Sequence, residues 1–292
     1  MRWDLYYRGS LSSCNYSCGY CPFAKTRNTR SELARDRRQL LRFQHWTARQ
    51  TARLGILFTP WGEALGHRAY RRTLIELSHQ PNLERVAIQT NLSAPLQELA
   101  EASPRLALWA TYHPGQTSLQ RFAAQCARLD DLNIGYSVGM VGLKEHFADL
   151  TRLRQLLPPE RYLWINAYKR RSDYYTAADI DFLKSIDPYF NYNLHRYPSF
   201  NTACQAGHRS FAVDGEGNLR RCHFVGEVLG NIYESDFARH LKPRLCPNQT
   251  CGCYIGYIHR PVLQWEQRFG PGYLERIPKS GSAVNLPEES SL

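Results

Sequence analysis

Along the first two-thirds of the chain, short apolar runs alternate with longer stretches whose apolar positions recur every three or four residues. Residues 4–8, 54–58, 85–89, 106–111, 134–138 and 162–167 have the length and the β-branched or aromatic content of strands. Between them, 31–51, 70–78, 95–102, 118–128 and 143–156 carry the helical period. One helix illustrates the logic. Thr117 and Gln120 have the spacing of a capping box. Leu119, Phe122, Ala123 and Cys126 follow at i, i+3, i+4 and i+7, so Cys126 reads as a small buried apolar residue. Strands alternating with helices predict βαβ units and a parallel sheet, hence an α/β protein. The pattern stops near residue 200, so six units predict a partial (β/α)6 TIM-like barrel rather than a closed ring of eight.

After Tyr197 the texture changes. Residues 210–213 form one more apolar run, followed by the turn-rich Asp214-Gly215-Glu216-Gly217-Asn218, the pattern of a hairpin leading into loops. Three regions are expected: a barrel over 1–200, a small cysteine-rich domain over 201–260, and an extension over 261–292 whose polar end, from about residue 280, reads as a loose tail.

Composition narrows the class. The 292 residues are 43% hydrophobic and 22% charged, enough to build a core and too apolar for a disordered chain. No apolar run approaches the ~18 residues of a membrane span. Met1-Arg2-Trp3-Asp4 carries charge where a secretory signal needs an apolar segment, so a cytoplasmic protein without a membrane partner is expected. The net charge is +11, with nine Lys or Arg between Lys25 and Arg53 against Glu32 and Asp36. Such a stretch is either the solvated face of one helix or an attractor of polyanions. Nine cysteines cannot all pair with one another, and in a cytosolic chain clustered cysteines hold metal or do chemistry more often than they form bridges.

Three of them, Cys14, Cys18 and Cys21, have the spacing C-x3-C-x2-C in the loop after the first strand, the end where α/β barrels place their chemistry. Three thiolates on one loop can hold three corners of a cubane iron–sulfur cluster. A structural zinc site would want a fourth ligand nearby, and the next histidine, His45, falls inside the first predicted helix. The motif, with Tyr20 before Cys21, resembles the signature of the radical S-adenosylmethionine (radical SAM) superfamily. The resemblance implies a [4Fe-4S] cluster on Cys14, Cys18 and Cys21 with one iron left open for S-adenosylmethionine. It also implies one-electron cleavage of that cofactor to methionine and a 5′-deoxyadenosyl radical, which takes a hydrogen atom from the substrate. Pro60-Trp61-Gly62-Glu63 after the second strand resembles the family's Gly-Gly-Glu motif, with Trp61 in place of the first glycine. By that resemblance Glu63 accepts a hydrogen bond from the cofactor's amino group, and Gly62 allows close approach of the backbone. Thr90-Asn91 and Thr111-Tyr112-His113 resemble the family's strand-end positions, which makes Asn91 and Thr111 cofactor-binding candidates beside Tyr20. His113 reads equally well as a structural histidine.

The other cysteines of interest are Cys204, Cys222, Cys246, Cys251 and Cys253. Their spacing resembles the SPASM and twitch extensions of radical enzymes, which hold auxiliary iron–sulfur clusters. Two fully ligated clusters need eight protein ligands and one needs four, so the count implies one auxiliary [4Fe-4S] cluster and one spare cysteine. The reading leans to Cys204, Cys222 and Cys251 as ligands, with Cys246 or Cys253 as the fourth. A four-cysteine zinc site would use the same residues. By family analogy the expected substrate is a peptide or peptide-like molecule and the reductant an external electron donor. With no room ahead of Cys14 for a peptide-recognition domain, a substrate-delivery partner is expected, and the resemblance to a bacterial family of radical enzymes with this opening and this cysteine-rich end implies an ATP-grasp partner. Two alternatives stand beside this: a radical SAM enzyme modifying RNA, suggested by the basic charge, and a non-enzymatic zinc-stabilised nucleic-acid-binding protein.

Overall fold

The structure, a computed structural model, describes residues 1–23, 26–270 and 275–279. The tail expected from about residue 280 lies outside the described residues, as does Lys25 at the start of the basic stretch.

Six strands lie side by side in chain order, each parallel to the next: β1 (Arg2–Arg8), β2 (Arg53–Phe58), β3 (Leu83–Thr90), β4 (Leu106–Tyr112), β5 (Gly135–Val141) and β6 (Leu163–Asn166). Four α-helices make the crossovers: α1 (Arg30–Ala48), α2 (Arg68–His79), α3 (Leu119–Asp131) and α4 (Phe147–Leu156). The helix expected over 95–102 is only a 3₁₀ turn, Gln97–Glu101. Pro95 and Pro104 bracket that segment, and proline both withholds a donor and keeps its predecessor out of the α region. The start of α3 also differs from expectation. Its cap is Ser118, whose hydroxyl accepts from Arg121 N, rather than Thr117. Serine caps at least as well as threonine, and with Ser118 at the cap Gln120 falls one residue short of the position that closes a box. At α1 the box is complete, between Thr29 and Glu32. Cys126 is buried on α3, as its spacing predicts.

The strands' period of two sorts their side chains onto two faces. Leu5, Tyr7, Ile56, Phe58, Val86, Ile88, Leu108 and Ala110 pack under the helices. Tyr6, Leu57, Ala87, Trp109 and Trp164 face the other way and are covered by Tyr254, Ile258, Leu263, Trp265 and Phe269 from the C-terminal part. Room for Trp164 is made by Gly139 on the neighbouring strand, where a Cβ would stand 2.0 Å from the indole.

After β6, helices α5 (Ala177–Ile186) and α6 (Phe190–Leu194) lead to a short strand, β7 (Tyr197–Pro198). The expected hairpin follows, as β8 (Ser210–Asp214) and β9 (Asn218–Arg220), antiparallel to each other. Its turn is held by Asp214, which accepts from the backbone N–H groups of Glu216 and Asn218, both at 3.0 Å. The hairpin is not separate from the barrel sheet. Strand β8 runs parallel to β1 from Asp4↔Ser210 to Arg8↔Asp214, and β10 (Gly230–Asn231) continues the sheet outward from β9. The nine-stranded order is thus β10-β9-β8-β1-β2-β3-β4-β5-β6. Strand β11 (Thr250–Cys251) pairs with β7 in a second, two-stranded sheet. Among the described residues no helix is long and apolar enough to cross a membrane.

Candidate active site

The loop after β1 is tied down from both sides. Leu11 N donates to Asp36 Oδ1 at 2.9 Å, and Ser12 N and Ser13 N donate to Asn28 Oδ1 at 2.8 and 2.9 Å. Asp36 is buried on α1, so the first helix fixes the start of the cysteine loop. From the other side, Glu63 N donates to Ser13 O at 3.1 Å. A Cβ on Gly62 would stand 1.8 Å from the same Ser13 oxygen, so only glycine lets the two loops meet.

Within the loop, Tyr16 N points at Cys14 Sγ (3.4 Å) and Cys21 N donates to Cys18 O (3.1 Å). Burial pushes the thiols of Cys14 and Cys18 up. His113 braces this loop. Its Nδ1 shares a 2.7 Å hydrogen bond with the Tyr20 hydroxyl and lies 3.5 Å from Cys18 Sγ. The Tyr20 and His113 rings stack at 5.9 Å. Burial lowers the His113 pKa to about 4, so the ring is neutral at physiological pH.

Glu63 is 6% exposed, with both carboxylate oxygens engaged. Oε1 accepts from Thr90 Oγ1 at 2.7 Å and Oε2 from Asn91 N at 2.6 Å. Burial outweighs these donors and pushes its pKa up to about 7. Asn91 reaches back to the cysteine loop, donating to Asn15 Oδ1 at 2.9 Å with its Nδ2 3.7 Å from Cys14 Sγ. The strand-end pair Thr90-Asn91 therefore joins the acidic loop to the cysteine loop. Trp61 stands where the family motif has a glycine. It is 38% exposed, with the Arg8 guanidinium 4.0 Å over its ring and Phe23 edge-on at 4.5 Å. All these loops enclose a cavity of about 410 Å³ that brings together Cys14, Cys18 and Cys21 with Tyr20, Gly62, Glu63, Asn91 and Thr111.

A second cavity of about 610 Å³ is lined by all five of Cys204, Cys222, Cys246, Cys251 and Cys253. Short local bonds set several of them. Ala206 N donates to Cys204 Sγ at 3.4 Å, Cys246 N donates to Thr202 O at 3.0 Å, and Cys251 is held on β11 opposite Tyr197. Arg221 donates to the carbonyls of Leu245 and Arg244, and its charge partly offsets the burial that raises Cys204 and Cys222. Burial pushes Cys222 up to about 11 and Cys251 to about 12. Cys251 feels the other four thiols. Burial pushes the Cys253 thiol up, against the backbone N–H groups of Ile255 and Gly256 and the charges of Lys169 and Arg8, which favour the thiolate.

The two cavities adjoin. Gln89, Trp164, Asn166, Ala167 and Lys169 line both. Sequence reasoning did not single these residues out, although all but one come at or just after the ends of β3 and β6, the end of a parallel sheet where such sites form. Lys169 donates to Gly252 O at 2.7 Å, and burial lowers its pKa to about 8. The indole N–H groups of Trp109 and Trp164 are buried without an acceptor among the described residues.

The donor set suits a cluster. Three thiols line the first cavity and five the second, the soft donors that iron–sulfur clusters take. In a cubane each thiolate takes a different iron, so its ligands stand further apart than those of one tetrahedral zinc.

No protein-family model and no curated protein matches the chain. Solved structures do. A polyhistidine-tagged anSMEcpe with bound AdoMet is 15% identical, with a TM-score of 0.52 over 82% of each chain. Native anSMEcpe with bound AdoMet and Kp18Cys peptide is 14% identical, with a TM-score of 0.52 over 98% of this chain and 93% of that one. That enzyme is a radical SAM enzyme of the SPASM/twitch kind, and the likeness shows that this chain shares its fold.

Proposed function

We propose that the protein is a radical SAM enzyme that abstracts hydrogen from a peptide or peptide-like substrate, with one catalytic and one auxiliary [4Fe-4S] cluster. The observation that carries this reading is the pair of adjoining cavities, one lined by the three-cysteine loop and Glu63, the other by five cysteines. The peptide class is supported by the anSMEcpe structure that holds AdoMet together with a peptide.

In this reading Cys14, Cys18 and Cys21 hold the catalytic cluster, which supplies the electron that cleaves S-adenosylmethionine reductively and yields the abstracting radical. The chain's own residues do the rest. Gly62 and Ser13 keep the acidic loop against the cysteine loop. Glu63 is fixed by Thr90 and Asn91, with Leu65 N as a third donor, and since a carboxylate has about four acceptor positions this leaves capacity for the cofactor's amino group. Tyr20 and Thr111 line the same space. Cys204, Cys222, Cys246 and Cys251 hold the auxiliary cluster. Cys253 is the spare thiol, since the backbone N–H groups of Ile255 and Gly256 and the charges of Lys169 and Arg8 already partly offset its burial. The substrate occupies the junction bounded by Gln89, Asn166 and Lys169. An external one-electron donor completes the set.

The test is anaerobic purification followed by iron counting and incubation with dithionite and S-adenosylmethionine. Brown protein with iron for two cubanes that releases 5′-deoxyadenosine is expected. Colourless, zinc-loaded protein would overturn the reading in favour of a zinc-stabilised binder. Cys253→Ser should retain the auxiliary iron and Cys246→Ser should lose it; the reverse would exchange their roles.

A further inference from the structure

Helix α1 does more than fix the cysteine loop. Its buried side carries Leu40, Phe43 and Trp46, and its other side is open. Arginines dominate the open side: Arg30, Arg35, Arg37, Arg38 and Arg42, followed by Arg49 at the C-cap. Outside its buried side, the acidic residue of this helix is Glu32 in its first turn, bonded to the Thr29 cap and close to Arg35. Arg42 lies over the Tyr233 ring at 3.7 Å, and among the described residues no ion pair involves the other arginines of this face. Arg35 with Arg38 and Arg38 with Arg42 sit at the i+3 and i+4 spacings where like charges destabilise a helix. A face kept this way at a cost in stability has the charge to receive something.

The order of residues on that face says what. Ala34, Leu41 and Ala48 are seven residues apart and form a narrow apolar seam along about 21 Å of helix. Leu41 is 41% exposed at its centre, and the alanines on either side let another backbone come close. Arg30 and Arg37 flank the seam on one side, and Arg35, Arg38, Arg42 and Arg49 on the other. A seven-residue apolar repeat between charged rows is the surface a second helix recognises, with the charges choosing the partner. A phosphate backbone would use the arginines and gain nothing from Leu41. We infer that the solvent face of α1 is the docking site for an acidic amphipathic helix of a partner polypeptide, with a leucine-like residue against Leu41 and glutamates or aspartates against the arginines. Because α1 begins just after the cysteine loop, a partner seated there lies beside the catalytic end of the sheet.

The test uses the cluster-loaded protein and three fluorescent probes. The first is a synthetic helical peptide with leucine at every seventh position and glutamates beside it. The second is a scrambled peptide of the same composition, and the third a short single-stranded RNA. The ordered peptide should bind at low salt at least tenfold more tightly than the scrambled one. Arg35→Glu with Arg38→Glu and Arg49→Glu should abolish binding, and Leu41→Ser should weaken it several-fold. The milder Arg→Gln triple should weaken binding tenfold or more, with iron content unchanged and the thermal midpoint of the arginine variants unchanged or slightly raised. Equal binding of both peptides would overturn the inference. So would RNA binding more tightly than the ordered peptide and insensitively to Leu41→Ser, which would make this a nucleic-acid face. Absence of binding by all three probes would leave a solvated helix and overturn it as well. Each outcome is independent of S-adenosylmethionine cleavage, so failure here does not touch the proposed activity.

Discussion

The half of the molecule before β7 and the half after it are held together by different means. In the first, strands of four to eight residues stack in register and both of their faces are covered by apolar side chains. In the second, strands run from two to five residues, and order comes from turns, side chain to backbone bonds and buried thiols around a cavity. The first half has what it needs to fold from apolar burial. The second gathers five cysteines with little core of their own, and such small regions depend on metal or cross-links. The comparison teaches that the two cysteine sites are of different kinds. The three-cysteine loop is mounted on a sheet with a core on both faces, whereas the five-cysteine region stands on short strands and on turns.

Four experiments break or sharpen that contrast. The largest effect is expected from replacing Cys14, Cys18 and Cys21 together by Ala. Reductive cleavage of S-adenosylmethionine should vanish while the auxiliary iron and the fold remain, as judged by product release and iron counts. Retained cleavage would reassign the catalytic site. Next is removal of iron with a chelator under anaerobic conditions. Amide hydrogen exchange over residues 199–260 should accelerate on the order of 100-fold or more, whereas β2 to β5 should change little. Equal acceleration in both halves would erase the distinction. Third, Glu63→Gln keeps the shape and removes the charge. A charge-assisted bond of roughly 1.5–3 kcal/mol corresponds to a loss of about tenfold or more in S-adenosylmethionine affinity, measured by titration on cluster-loaded protein. Unchanged affinity would mean that Glu63 only braces the loops.

The smallest effect concerns the first half alone. Asp187 is buried, accepts from Ile165 N at 2.8 Å and from Tyr162 Oη at 2.9 Å, and burial raises its pKa to about 6. The folded state thus holds this proton more tightly than the unfolded chain. The stability that goes with the neutral carboxyl is lost as pH rises through about 6. Asp187→Asn should lower the thermal midpoint, and the gap to wild type should narrow by a few degrees between pH 5 and pH 7. A gap that widens would reverse the sign of the argument.

Much of the first half was legible in the sequence because its signals are local. Each of the six strands lies where its apolar run predicts, since period and turn residues act over a few positions. The 3₁₀ turn at 97–101 and the cap at Ser118 departed from expectation for equally local reasons, a pair of prolines and two adjacent hydroxyl residues that can each cap. The placement of β8 beside β1 was not legible. Its partner lies about two hundred residues away, and no periodicity encodes which edge a late strand will join. At the candidate site the cysteines and Glu63 carried their own chemical signature. The clamp of Thr90 and Asn91 on Glu63, the brace of His113 on Tyr20, and the junction residues Gln89, Asn166 and Lys169 exist only once separate strand ends meet.

The parallel seat of β8 against β1 also sets a timetable. Strand β1 leaves the ribosome before the other strands of its sheet and is central in the finished sheet, yet one of its two edges has no partner until Ser210–Asp214 has been made. At a synthesis rate of about 5–20 residues per second, the growing chain carries that open edge for on the order of ten seconds or more. An unpaired edge is a template for wrong pairing with another chain. The nascent protein is therefore most exposed to aggregation before β8 has emerged, and slow translation over residues 60–200 would lengthen that window.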